Sequence, residues 1–297
     1  MNKVSCFLSS LDANEEMYGT APRVDVWMLL EYRGNWPKDA VKNCGIPDIS
    51  RNHLNHYLKT IPNSRLQLIK KYSNSYESLM FYIAVSEETG PRLYGIELEN
   101  YDNLLSLDIA AIIRGNEYLL NKDLFIICTN GEHDGCCGKL GMPLYREISE
   151  SMYGPDTWET THLGGHRFAS TIVCLPHGIY YGRVRDLETA SQLFREYGKG
   201  AMNTRYYRGR SYYDKDVQAA EYYLRAETGV SSLGAYRVAN IERDGNHATV
   251  EFSCPRYGKS YRVELTEYKK SLKLLKSCSD QKPSHVSRFS LESFTLV

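Results

Sequence analysis

The apolar run Leu124-Phe-Ile-Ile127 ends on a cysteine, Cys128, and runs straight into Thr-Asn-Gly-Glu-His-Asp-Gly-Cys136-Cys137-Gly. The run has the length and character of a buried strand. A strand end is a rigid place to fix a thiol, and the glycine-rich turn after it returns a second one. Further on, His162-Leu-Gly-Gly-His166-Arg-Phe supplies two imidazoles. The glycine pair between them disfavours a regular helix and favours a loop wrapping close to a bulky centre. Two thiolates and two imidazoles on tight turns make a ligand set for iron or zinc. If C-x8-C and H-x3-H close on one centre, the occupant that suits them is a [2Fe–2S] cluster with one iron held by cysteines and the other by histidines. The chain would then carry electrons.

Composition narrows the setting. The 297 residues are enough for two domains, or three small ones. The 36 basic and 36 acidic residues cancel without long runs of either sign, which argues against a nucleic-acid partner. The N-terminal stretch lacks a signal-peptide pattern, and no segment approaches the roughly twenty apolar residues of a membrane span. A soluble, cytoplasmic protein is expected. Eight cysteines are few for a disulfide scaffold, so in a reducing compartment the clustered ones suit metal or redox ligation.

The order of elements predicts an α/β, thioredoxin-like fold. Strands are expected at residues 24–31, 65–69, 79–85 and 92–98, with a helix over 48–59 capped by Asp48 or Ser50 and a second helix over 104–113. The succession then repeats: a strand at 124–128, a helix at 139–151, strands at 157–161, 170–175 and 179–184, and a helix capped by Asp186. This predicts two tandem thioredoxin-like halves, residues 1–118 and 119–200, of which only the second carries clustered ligands. Residues 201–297 read as a small α+β module: a helix over 215–228 ending at Gly229, three strands, and a polar tail from Ser277 that is expected to be loosely ordered.

The motifs resemble the sucrase/ferredoxin-like proteins, a group of thioredoxin-like ferredoxins. The likeness rests on Cys128-Thr-x-Gly-x-x-Asp134-x-Cys-Cys137, on Thr161-His-Leu-Gly-Gly-His-Arg-Phe168 and on Leu175-Pro-x-Gly-x-x-Tyr-Gly-Arg-Val184. Gly19-Thr-Ala-Pro22 and Tyr207-Arg-Gly-Arg-Ser211 also fit bacterial members. The resemblance implies a non-Rieske [2Fe–2S] cluster held by Cys128, Cys137, His162 and His166. It implies no sugar chemistry. Where many relatives read Cys-Thr-His-Gly-x-Arg-Asp, this chain has Asn130 and His133. The loss of a permanent positive charge at 133 should lower the cluster's potential.

Adjacent cysteine side chains usually point apart, so one of Cys136 and Cys137 takes the site. The family spacing and the following Gly138 favour Cys137, where the start of the expected helix also favours a thiolate. Cys136 is left as a packed thiol, a substitute ligand or a redox partner. Imidazole in place of two thiolates brings the oxidised centre from a formal charge of about −2 to about zero, which raises the potential. The non-ligating ring nitrogens would couple reduction to proton uptake. His133 and His177 read as exposed turn residues, Lys139 and Arg167 as residues that tune potential or steer a partner, or equally as plain surface charges. Arg205, Arg208 and Arg210 are candidates for docking an unidentified, acidic redox protein, or else a solvated basic surface. Cys6, Cys44, Cys174, Cys254 and Cys278 have no partner at metal-site spacing and read as core or surface thiols. A structural Cys2His2 zinc site is the alternative, although zinc knuckles typically space their cysteines by two to four residues. A thiol oxidoreductase would want C-x-x-C, and no hydrolase elbow or standout carboxylate pair is present.

Overall fold

The computed structural model describes residues 5–72 and 77–297 and shows a mixed α/β protein built on two sheets. Ten short strands form the larger: β1 (Val26–Glu31), β2 (Ser64–Lys70), β3 (Leu79–Val85), β4 (Arg92–Leu98), β5 (Leu119–Leu120), β6 (Leu124–Cys128), β7 (Thr157–Thr160), β8 (Ile172–Leu175), β9 (Ile179–Tyr181) and β10 (Tyr207–Arg210). Their spatial order is β10-β9-β8-β6-β7-β2-β1-β3-β4-β5. One pairing pattern occurs twice. β1 lies parallel to β2 and antiparallel to β3, and β6 lies parallel to β7 and antiparallel to β8. The two sets join through the antiparallel contact Ile69↔Thr160 and Lys70↔Glu159.

Every residue of β1 and of β6 is buried, as expected for strands covered on both faces. The period of two sorts their side chains between different cores. Phe125 and Ile127 enter a cluster with Tyr145, Ile148 and Phe194, from the helices Met142–Ser149 and Leu187–Gly198. Val26, Met28 and Leu30 face Leu54 and Ile112, from the helices Asp48–Thr60 and Ile109–Arg114. The alternate residues Trp27 and Leu29 of β1 and Leu124, Ile126 and Cys128 of β6 share a third cluster with Trp158 and Tyr180. Cys128 therefore faces an interior shared by both ends of the sheet.

The smaller sheet is an antiparallel meander of β11 (Arg237–Asp244), β12 (His247–Cys254), β13 (Lys259–Leu274) and β14 (Ser284–Leu296). Ala248, Val250, Phe252 and Cys254 are its buried alternation, and its apolar face packs with the helix Lys215–Thr228. The tail expected to be loose is largely strand β14, which pairs with β13 and buries Val286 and Phe289. The expected helix over 104–113 is likewise two pieces, a 3-10 stretch Tyr101–Ser106 and Ile109–Arg114, because Asp108 accepts from the N–H of Ala111 and opens a new helix. Asp48 is the first residue of its helix and Pro47 occupies the capping position, so neither Asp48 nor Ser50 caps it.

Beneath the meander, the Glu221 carboxylate serves two buried arginines. It accepts from Arg225 at 2.9 Å, lies 3.0 Å from Nε of Arg210 and accepts from the Tyr207 hydroxyl at 2.6 Å. Arg210 is 2% exposed, which corrects its assignment as a docking residue. Removing one member of such a network strands the other charges out of water. Glu221→Gln should therefore cost about 3–5 kcal/mol of unfolding free energy, read from urea denaturation.

Candidate metal centre

Cys128 is held at its strand end by its N–H donating to Thr171 O at 3.1 Å, while Thr129 N–H donates to Thr160 O and its hydroxyl to Glu159. The chain then turns through Gly131–Gly135 and re-enters as a π-helical segment, Cys137–Gly141, that leads into the helix Met142–Ser149. The helix expected over 139–151 thus begins earlier and more widely wound, a conformation frequent at functional sites. Close backbone approach explains the glycines. A Cβ on Gly141 would sit 2.0 Å from the carbonyl oxygen of Cys128, and one on Gly138 would sit 2.8 Å from Cα of Gly131.

The histidine loop follows β7 and is fixed through its carbonyls. Arg65 and Gln67, from β2, donate to His162 O, Arg65 also donates to Leu163 O, and the Tyr180 hydroxyl donates to Leu163 O. Gly164 and Gly165 have φ of +98° and +71°, which a side chain would strain. Arg208 donates to Gly164 O at 3.0 Å and fills the space a Cβ at Gly165 would need. Arg208 is fully buried, so it too is a buttress of the site and not a docking residue. Arg205 is exposed, as is Lys139, while Arg167 is paired with Glu15.

Cys128, Cys137 and His162 offer donor atoms within 4.8 Å of one another. Cys137 Sγ lies 4.0 Å from His162 Nδ1. A hydrogen bond with the Cys137 thiol, opposed by burial and reinforced by His162, holds the Cys128 thiol well below its ordinary range. The same bond, with burial, pushes Cys137 up. His166 groups instead with His162 and His133, its ring centroid 5.0 Å from that of His162. Its Nδ1 is buried without a hydrogen-bond partner among the described residues, while its Nε2 lies 3.6 Å from Asp134 Oδ2. Burial lowers its pKa against the opposing pull of Asp134 and of the Lys276 backbone.

His133 lies on the turn, as expected, but is only partly exposed. Its ring stacks on that of His162 at 3.9 Å, and its Nδ1 meets Lys38 O. Asn130 shapes that turn, accepting from the N–H of His133 and donating to Pro37 O. Cys136 points away from Cys137, toward Cys6 and Cys278, with Sγ separations of 3.5 and 3.2 Å. Neither Cys6 nor Cys278 has a spacing that signals this meeting, since they lie 130 and 142 residues from Cys136. Cys44, Cys174 and Cys254 are buried in apolar clusters. His177 stands edge-on to Tyr197 at the β8–β9 turn, outside both histidine groupings.

The family model for sucrase/ferredoxin-like proteins matches residues 17–209, a span that holds both β6 and the histidine loop. The chain belongs to the sucrase/ferredoxin-like family. It is also similar to the altered inheritance of mitochondria protein 32 of Meyerozyma guilliermondii, with 32% identity over 81 residues. That match covers 24% of this chain and 29% of the yeast protein. No solved structure matches the chain.

Two outcomes test this geometry. Gly141→Ala should cost about 3 kcal/mol, the upper end for an overpacked interior, and loosen the cysteine turn, measured by denaturation and thiol reactivity. Burial, aided by Arg210, takes the His177 pKa down to about 4. The unfolded chain, with its His pKa near 6.5, therefore binds the proton first as acid is added. This contribution to stability is present above about pH 6.5 and falls by about 3 kcal/mol by pH 4, and His177→Phe should remove that slope from unfolding measured across pH.

Proposed function

We propose that this sucrase/ferredoxin-like chain holds a [2Fe–2S] cluster, with Cys128 and Cys137 on one iron and His162 and His166 on the other, and serves one-electron transfer. The observation that carries this is the buried Nδ1 of His166, with no hydrogen-bond partner among the described residues, beside the group formed by Cys128, Cys137 and His162. A buried imidazole nitrogen with no partner costs free energy unless something binds it. Asp134 on the far nitrogen is the arrangement that orients metal-bound histidines.

The cluster would supply the redox chemistry. The protein positions four donors on two turns, shields them beneath the third apolar core, and supplies neutral imidazoles that raise the potential relative to four thiolates. His162 and His133 also line a cleft of about 390 Å³ with Lys38, Lys42 and Arg65, whose three cations outnumber the one carboxylate there, Asp39. An acidic redox protein would be steered to that edge. The recurrent pairing around β1 and β6 supports residues 1–118 and 119–200 as two thioredoxin-like halves, with 201–297 as an attached module. All eight cysteines are free, which suits a reducing compartment such as the cytoplasm. No helix among the described residues is long and apolar enough to cross a membrane.

A single zinc ion is the second reading. Three donor atoms within 4.8 Å of one another are compact enough for one tetrahedral ion. Purification without oxygen, with iron, sulfide and zinc counted and the absorption spectrum recorded, separates the two. The cluster predicts a red-brown protein with about two irons and two acid-labile sulfides per chain. One zinc in a colourless, sulfide-free protein would exclude it. In a cluster-loaded protein His166→Cys should lower the potential, and a potential flat from about pH 6 to 10 would rule out coupling to the imidazole protons.

A further inference from the structure

We infer that the chain has a second metal site, in which the thiolates of Cys6, Cys136 and Cys278, completed by the carboxylate of Asp134, hold one zinc ion. The three sulfurs form a closed triangle: Cys6 to Cys136 is 3.5 Å, Cys6 to Cys278 is 3.5 Å, and Cys136 to Cys278 is 3.2 Å. Asp134 Oδ1 lies 3.7 Å from Cys6 Sγ, and all four donor atoms lie within 4.8 Å of one another. Ligand sulfurs about 2.3 Å from a tetrahedral zinc stand about 3.8 Å apart, so the triangle needs only a slight expansion to admit the ion. Soft thiolates select zinc over magnesium or calcium, whose ligands are oxygens.

The donors are built in place. Asp134 is fully buried at its side chain. Its Oδ1 accepts from the N–H of Cys136, and its Oδ2 accepts from the N–H of Cys278 and the hydroxyl of Ser277. One carboxylate thus sets the backbone of two of the three cysteines. Cys6 comes from the opposite end of the sequence, on the helix Cys6–Asp12, and is fully buried with Phe7, Cys136 and Ala169 in a small apolar cluster. A disulfide needs two sulfurs and would leave the third thiol in contact with it, ready for exchange. Three sulfurs and a carboxylate facing one point are instead the donor number of a closed structural zinc site.

This site would fasten both flanks of the chain to the turn that carries Cys137. A small cluster gives the seven-residue helix Cys6–Asp12 little apolar burial of its own, so the ion would contribute much of its attachment. The inference does not depend on what Cys128 and the histidines bind.

The experiment separates the two sites. Full-length protein purified under reducing conditions and given one equivalent of zinc should retain one tightly held zinc outside the first site. Cys6→Ser combined with Cys278→Ser should lower that zinc at least tenfold and leave the iron and sulfide content unchanged. In the converse variant, Cys128→Ser with His162→Ala, one equivalent of cobalt should give the thiolate charge-transfer band of a tetrahedral ion, and the two serine substitutions should abolish it. Zinc that survives Cys6→Ser with Cys278→Ser once the first site is also removed by Cys128→Ser with His162→Ala, no such band in the converse variant, or a Cys136–Cys278 disulfide in protein alkylated at lysis would each overturn the site.

Discussion

The Arg208 guanidinium ties together the parts of the molecule on which the histidine loop rests. Strand β10 carries it inward between the rings of Phe168 and Tyr180, whose centroids lie 5.0 and 5.3 Å away. From there it donates to Gly164 O, to the Thr171 hydroxyl just before β8, and to both the carbonyl and the hydroxyl of Thr20. Burial takes its pKa down to about 10, so it stays charged at neutral pH with carbonyl and hydroxyl oxygens as its hydrogen-bond partners. A left-handed Gly164-Gly165 backbone presents the Gly164 carbonyl only if its own conformation is supported. The price of burying a guanidinium thus becomes rigidity in a loop that carries two histidines.

The same dependence on distant elements holds at the cysteine turn. β6 places Cys128 on the inner face by its parity, and the turn returns Cys137 to it because Gly131 and Gly138 let two stretches of backbone touch. The segment around Pro37 and Lys38, far away in sequence, then ties down Asn130 and His133. The site is therefore assembled by both ends of the ten-stranded sheet, although its thiols and imidazoles come from one.

Much of this was legible from local pattern. The strands Leu79–Val85, Arg92–Leu98 and Leu124–Cys128 and the helix Lys215–Thr228 have the bounds that periodicity and turn residues dictate, because in each the apolar pattern and the ending residue agree. What was missed depended on long-range contact. Polarity made residues 284–296 look like tail, yet a strand needs only alternate residues facing a core, and Val286 and Phe289 supply part of that face. Arg208 and Arg210 looked like surface charge because the buried oxygens that receive them lie elsewhere in the chain. Tyrosine's abundance, twenty-four residues, also has a place: Tyr145, Tyr181 and Tyr207 fill the large core while their hydroxyls reach polar partners.

Asp134 is where the two proposed sites meet. Its Oδ2 lies near His166, and the same carboxylate receives the N–H groups of Cys136 and Cys278. Cys136 lies within residues 17–209, but Cys6 and Cys278 fall on either side of that span. The thiol triangle therefore combines one residue of the family core with one from each flank. Any ion held there would act on His166 through a single shared carboxylate, so the flanking segments have a short electrostatic path to the first site even though none of the four proposed cluster ligands comes from them.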